Sequence, residues 1–222
     1  MAFGLHWEWR GFGALTTAFA KKYFQLPVLY AAEDIEDRYM WIPRLAVNAK
    51  FRSGRINGFK FKRLENKNGD FEQWREDPRE MFDFPLGPEA WETLRQDLHQ
   101  ANLRLPEFPG RFLNREQTLL YLQNAGCRIV TVNKNRESRV WQGVYGDVKV
   151  EWACISAPQT IISIGLETAV EDAFDNVTEK PSDAFAVTDL VAAVNALALD
   201  KEPLKVMNYM QAVEEWVAAE AL

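Results

Sequence analysis

A polar or charged side chain at every second position is the feature that most restricts what this chain can become. In LHWEWR, the apolar Leu5, Trp7 and Trp9 alternate with His6, Glu8 and Arg10. That spacing puts the two sets on opposite faces of a β-strand. The rhythm returns in LAVNAKFRSG, where Asn48, Lys50 and Arg52 oppose Val47, Ala49 and Phe51. It returns in FKFKRL, where Lys60 and Lys62 oppose Phe59 and Phe61. FEQWRE reads as a hairpin return after the NKNGD turn, and Gly54 with Asn57-Gly58 reads as another turn. RIVTVNKNR sets Val130, Val132, Lys134 and Arg136 on one face. DVKVEWACI sets Lys149 and Glu151 against Val148, Val150 and Trp152, and IISIGLE sets Ser163, Gly165 and Glu167 against Ile162, Ile164 and Leu166. Half-polar strands predict an antiparallel sheet, because parallel strands buried on both faces read as near-continuous apolar runs.

The same contrast disposes of a tempting motif. Gly11-Phe12-Gly13 follows a strand and precedes the helix-like ALTTAFAKKYF, with Glu33 or Asp34 about twenty residues on, as in a dinucleotide fold. The third motif position is Thr16, however, and the preceding strand carries three polar side chains. A turn leaving an edge or barrel strand is the expected reading. Elsewhere Pro88 opens a helix with a Trp91, Leu94, Leu98 stripe. Asn114 and Gln117 form a capping box closed by Gly126. Ser182 or Asp183 caps the first of two C-terminal helices, and the second is expected from about Pro203. One domain spanning residues 1–222 is expected, an α+β fold of antiparallel strands with covering helices, the C-terminal ones from about residue 183.

Composition enters through charge. The net charge is −6, yet the polar strand faces gather Arg10, Lys50, Arg52, Lys60, Lys62, Lys134, Arg136 and Lys149 against Glu8, Glu151 and Glu167. On one strand such a face is ordinarily solvated. Across many strands, like charges facing one another destabilise a sheet unless something anionic neutralises them. If the faces line a barrel, its interior is a cation-lined channel suited to linked phosphates. The acidic total disfavours long nucleic acid as a partner. Two cysteines, Cys127 and Cys154, suit a reducing compartment, and neither a signal peptide nor an apolar membrane span is evident, so a cytoplasmic protein is expected. Two histidines, and cysteines without CxxC spacing, speak against a His/Cys metal site. Phosphate-loop and nucleophile-elbow motifs are absent from the sequence.

In order and spacing, residues 5 to 170 resemble the CYTH, or triphosphate tunnel metalloenzyme, superfamily. Its opening ExExK strand is matched by H-W-E-W-R, its basic strands by AKFRSGRINGFKFKRL, and its later Lys-x-Arg by Lys134 and Arg136. Glu151 matches an acid on the next strand, and G-L-E, ending in Glu167, matches the closing ExE. The resemblance implies an eight-stranded antiparallel barrel, or tunnel, acting on a triphosphate-containing small molecule. By matching position, Lys50, Arg52, Lys60, Lys62, Lys134 and Arg136 would bind phosphate, with Glu8 and Arg10 catalytic. Glu8, Glu151 and Glu167 would hold Mg2+ or Mn2+. The implied activity is metal-dependent triphosphate hydrolysis. The alternatives are a catalytically degenerate phosphate-rich ligand binder, or a barrel carrying some other small molecule with its charged faces outside. Three departures bear on this choice: His6 and Gly165 stand where signature acids belong, and Arg10 replaces the signature Lys.

Overall fold

The alternating segments form strands, and they pair in the antiparallel sense. A computed structural model of the chain describes residues 4–43, 47–52, 58–76, 81–100, 103–168 and 183–220. Of the turn expected at Gly54 and Asn57-Gly58, Gly54 and Asn57 lie outside them and Gly58 opens a strand, and Ser182, one of the two expected caps, also lies outside them. The strands are β1 (Gly4–Gly13), β2 (Val28–Trp41), β3 (Val47–Arg52), β4 (Gly58–Asn68), β5 (Phe71–Glu76), β6 (Met81–Asp83), β7 (Arg128–Gln142), β8 (Asp147–Ala157), β9 (Ile161–Thr168) and β10 (Leu204–Val206). The helices are α1 (Thr17–Tyr23), α2 (Pro88–Gln100), α3 (Arg115–Asn124), α4 (Asp183–Leu197) and α5 (Tyr209–Ala219). Hydrogen bonding runs β1-β5-β4-β3-β2-β7-β8-β9, and β9 pairs back to β1, so eight strands close into an antiparallel barrel in an α+β fold. β10 adds to β1, and β6 to β4. Among the described residues no helix is long and apolar enough to cross a membrane.

The chain divides into two compact units. The first is Met1–Asp34, Leu64–Arg75 and Lys134–Asn208; the second is Ile35–Arg63, Glu76–Asn133 and Tyr209–Leu222. Each has its own core. In the first, Trp7 and Trp9 of β1, Val148 and Val150 of β8 and Ile164 and Leu166 of β9 pack with Leu190 and Leu197 of α4. In the second, Phe51, Phe59 and Phe61 pack with Trp91, Leu94 and Leu98 of α2 and Leu119 and Leu122 of α3. The aromatic stripes therefore face helices, as the alternation requires, and the charged residues take the other face of their strands. Burying each large apolar side chain contributes about 1.5–3 kcal/mol, which fixes strand register, since a one-residue slip would exchange the faces.

Local signals hold where they depend on neighbouring residues. Asn114 and Gln117 make the reciprocal capping box at the start of α3, and Gly126 follows in the left-handed region at φ +99°. Two expectations need correction, and one strand was not foreseen. The Gly11-Phe12-Gly13 stretch is not a turn: β1 continues through it, because β10 crosses so closely that a Cβ at Gly13 would strike the Pro203 carbonyl oxygen. The last helix starts at Tyr209, because residues 204–206 pair with Gly11 to Gly13 as a strand. β2, 14 residues long, carries no clear alternation at its start and escapes the sequence reading altogether.

Candidate functional site

In the first unit the register builds two rows of charge across three strands. Arg10 lies beside Gly165, and Gly165 beside Glu151. One row along, Glu8 lies beside Glu167, and Glu167 beside Lys149. Because Gly165 has no side chain, the Arg10 guanidinium extends over it and reaches both rows. A Cβ at position 165 would meet Arg10 Nη2, lie 2.6 Å from Cζ and 2.8 Å from Nη1. Arg10 Nε donates to Glu8 Oε1 at 2.7 Å, and Nη1 donates to Glu151 Oε1 at 3.1 Å and Ser163 Oγ at 3.0 Å. Nη2 lies 3.6 Å from Glu167 Oε1.

The network extends outward from there. Arg136 Nη1 donates to Glu151 Oε2 at 3.2 Å and Nη2 donates to Glu33 Oε1 at 2.9 Å. Lys149 Nζ donates to Glu167 Oε2 at 2.8 Å. His6 is buried, its Nε2 3.9 Å from Glu8 Oε2, too long for a hydrogen bond. Burial opposes ionisation of Glu151, but Arg10, then Lys149, Arg136 and Lys134, outweigh it and hold the carboxyl well below the usual carboxylate range. Four cations (Arg10, Lys134, Arg136, Lys149) thus share one strand face with four carboxylates (Glu8, Glu33, Glu151, Glu167), an even balance.

The second unit is arranged differently. Lys50 lies directly across from Lys60, and Asn48 from Lys62, on β3 and β4. Asp37 and Tyr39 of β2 face Arg52 and Lys50. The fully buried Asp37 accepts from Lys50 Nζ at 3.1 Å and from Arg52 Nε at 3.0 Å. Tyr39 Oη accepts from Lys50 at 3.1 Å, and the Tyr39 ring stacks on Tyr209 at 5.3 Å. Glu76 of β5 pairs with Lys60 and lies 3.6 Å from Lys62. Burial lowers the Lys60 pKa; Glu76 opposes that, while Arg52 and Lys62 add to it. Among the described residues of this face, Lys50, Arg52, Lys60 and Lys62 meet the carboxylates of Asp37 and Glu76, with Asp83 exposed at the strand end beside Gly58. Positive charge is in excess.

The structure therefore brings Glu8, Arg10, Lys134, Arg136, Glu151 and Glu167 together in one unit, and Lys50, Arg52, Lys60 and Lys62 in the other. Sequence reasoning missed Asp37, Tyr39, Glu33 and Glu76 as members of these clusters. Asp37 and Tyr39 are spaced by two on β2, but the neighbouring Glu36 and Arg38 are equally polar and hide the period.

The carboxylates expected to hold a divalent cation can be tested for fit. Mg2+ and Ca2+ need oxygens converging on one point at about 2.0–2.6 Å. Glu8, Glu151 and Glu167 do converge, but on the guanidinium of Arg10. Among the described residues no group of three or more His, Cys, Asp or Glu side chains is disposed to hold a metal ion. As placed among the described residues, Glu8, Glu151 and Glu167 do not fit a resident Mg2+ or Mn2+.

No protein-family model matches this sequence, and no curated protein does. Solved structures do resemble it. A conserved hypothetical protein from Pyrococcus furiosus aligns at TM-score 0.50 and 14% identity, over 93% of this chain and 98% of its own. A Pyrococcus horikoshii OT3 protein aligns at TM-score 0.48 and 16% identity, over 94% and 98% respectively. A Bacillus halodurans protein described as a "putative adenylate cyclase" aligns at TM-score 0.48 and 10% identity, over 94% and 98%. At 14% identity, the likeness to the Pyrococcus furiosus protein is one of fold.

Proposed function

We propose that this protein binds a triphosphate-containing small molecule through the cationic strand face of its second unit, as a binding protein rather than a metal-dependent hydrolase. One observation carries the reading: Lys50 and Lys60 oppose each other across β3 and β4, flanked by Arg52 and Lys62, and among the described residues of this face the cations outnumber the carboxylates they pair with. Opposed like charges cost sheet stability unless an anion neutralises them. Several ammonium and guanidinium groups in a partly desolvated place suit a chain of phosphates better than one carboxylate. The eight-stranded barrel agrees with this reading at the level of fold.

Hydrolysis through a bound metal gains no support, because the three carboxylates it would need are engaged by Arg10. A thermal-shift screen with tripolyphosphate, nucleoside triphosphates and orthophosphate tests the proposal, since a ligand bound only by the folded state raises Tm. Tripolyphosphate should raise Tm more than orthophosphate, and Lys60→Glu with Lys62→Glu should abolish the rise. A rise that survives the double reversal, or none in the wild type, overturns it.

A further inference from the structure

We infer that Arg10 is the built-in cation of the Glu8–Glu151–Glu167 cage, so that the native protein excludes divalent cations there and removal of the guanidinium opens a metal site. The inference does not depend on what the barrel binds. Three observations across β1, β8 and β9 support it. Glu8 and Glu167 are directly cross-strand neighbours, an arrangement that repels unless a cation lies between them. Arg10 lies there, touching both, and reaches Glu151 across the residue between them in the next row. That residue is Gly165, and any side chain would occupy the guanidinium's place.

The choice of Arg over Lys also follows from geometry. A planar fork with five donors can serve Glu8 through Nε, Glu151 and Ser163 through Nη1, and Glu167 through Nη2 at once. An ammonium is a compact point charge and could not span these separate directions. The guanidinium therefore does for the cage what a divalent ion would do: it collects oxygens from β1, β8 and β9 and cancels their repulsion. Arg10 and Gly165 form a matched pair, each making the other possible.

Mn2+ is the probe, followed on the full chain by electron paramagnetic resonance and by Tm. The wild type should leave millimolar Mn2+ unbound at this cage and keep its Tm. Arg10→Ala should bind one Mn2+ per chain with a rise in Tm, and adding Glu151→Gln should abolish both. Arg10→Met, which keeps much of the apolar stem, serves if Arg10→Ala does not fold without metal. The inference is overturned if the wild type binds one Mn2+ that Glu151→Gln removes. It is equally overturned if a folded Arg10 variant stays blind to Mn2+. Should neither variant fold, the wild-type titration decides alone.

Discussion

Among the described residues, the first unit sets Arg10, Lys134, Arg136 and Lys149 against Glu8, Glu33, Glu151 and Glu167, whereas in the second Lys50, Arg52, Lys60 and Lys62 outnumber Asp37 and Glu76. Both faces come from the same two-residue rhythm, and both turn their aromatic side toward helices. The difference lies in what each could do. A balanced network resists change, because removing one member strands the others in a desolvated place. A cation-heavy face is under repulsion and gains from an anion. The first is held by its own pairs, and the second is the face proposed to take a ligand.

The largest expected effect tests the balanced side. Arg10→Ala leaves Glu8, Glu151 and Glu167 clustered without their shared cation, and should cost about 3–5 kcal/mol in urea unfolding. A cost below about 1 kcal/mol would mean the network is ordinary surface pairing, and the contrast between the units would fail. Next in size is Gly165→Ala, whose methyl must displace the guanidinium, costing about 1–3 kcal/mol. Shortening the partner in Arg10→Lys, Gly165→Ala should recover part of that loss; strict additivity would show that the two positions do not interact.

Acid probes the same network more gently. The folded pKa of Glu151 is depressed, so its contribution is complete above its unfolded value of 4.5 and is lost as pH falls from there toward the folded value. Glu151→Gln should remove that part of the acid slope, measured as unfolding midpoint against pH. An unchanged slope would contradict the assignment. The smallest effect belongs to the second unit. Lys60→Met removes a charge that burial, Arg52 and Lys62 oppose, and it leaves Glu76 with Lys62 at 3.6 Å, so stability should change by less than about 1 kcal/mol, or rise. A loss as large as that of Arg10→Ala would erase the comparison.

Much of the barrel was legible because its strands report both faces. Trp7 and Trp9 against Glu8 and Arg10, or Phe59 and Phe61 against Lys60 and Lys62, leave little choice of register once helices cover one side. β2 was not legible, since it opens with the unbroken apolar run Val28 to Ala32 and continues with Glu33, Asp34, Glu36, Asp37 and Arg38, which show no alternation. The cations of the candidate sites were named from sequence, as were Glu8, Glu151 and Glu167, but the partners Glu33, Asp37, Tyr39 and Glu76 were not. Pairing of Asp37 with Arg52, or of Glu33 with Arg136, joins residues 15 and 103 positions apart, and only strand order brings them together. Nor could spacing show that Gly165 is empty because Arg10 fills it. A missing acid and an exchanged base looked like two losses in the sequence and are one geometric fact in the fold.

The central claim is that the positive excess of the second unit binds linked phosphates without help from a metal. Isothermal titration of tripolyphosphate into wild-type protein, once in EDTA and once in Mg2+, tests it most directly. The account predicts saturable binding in EDTA, at least tenfold weaker in Lys60→Glu with Lys62→Glu, a difference of about 1.4 kcal/mol. Binding that appears only with Mg2+, or that ignores the double reversal, would contradict it.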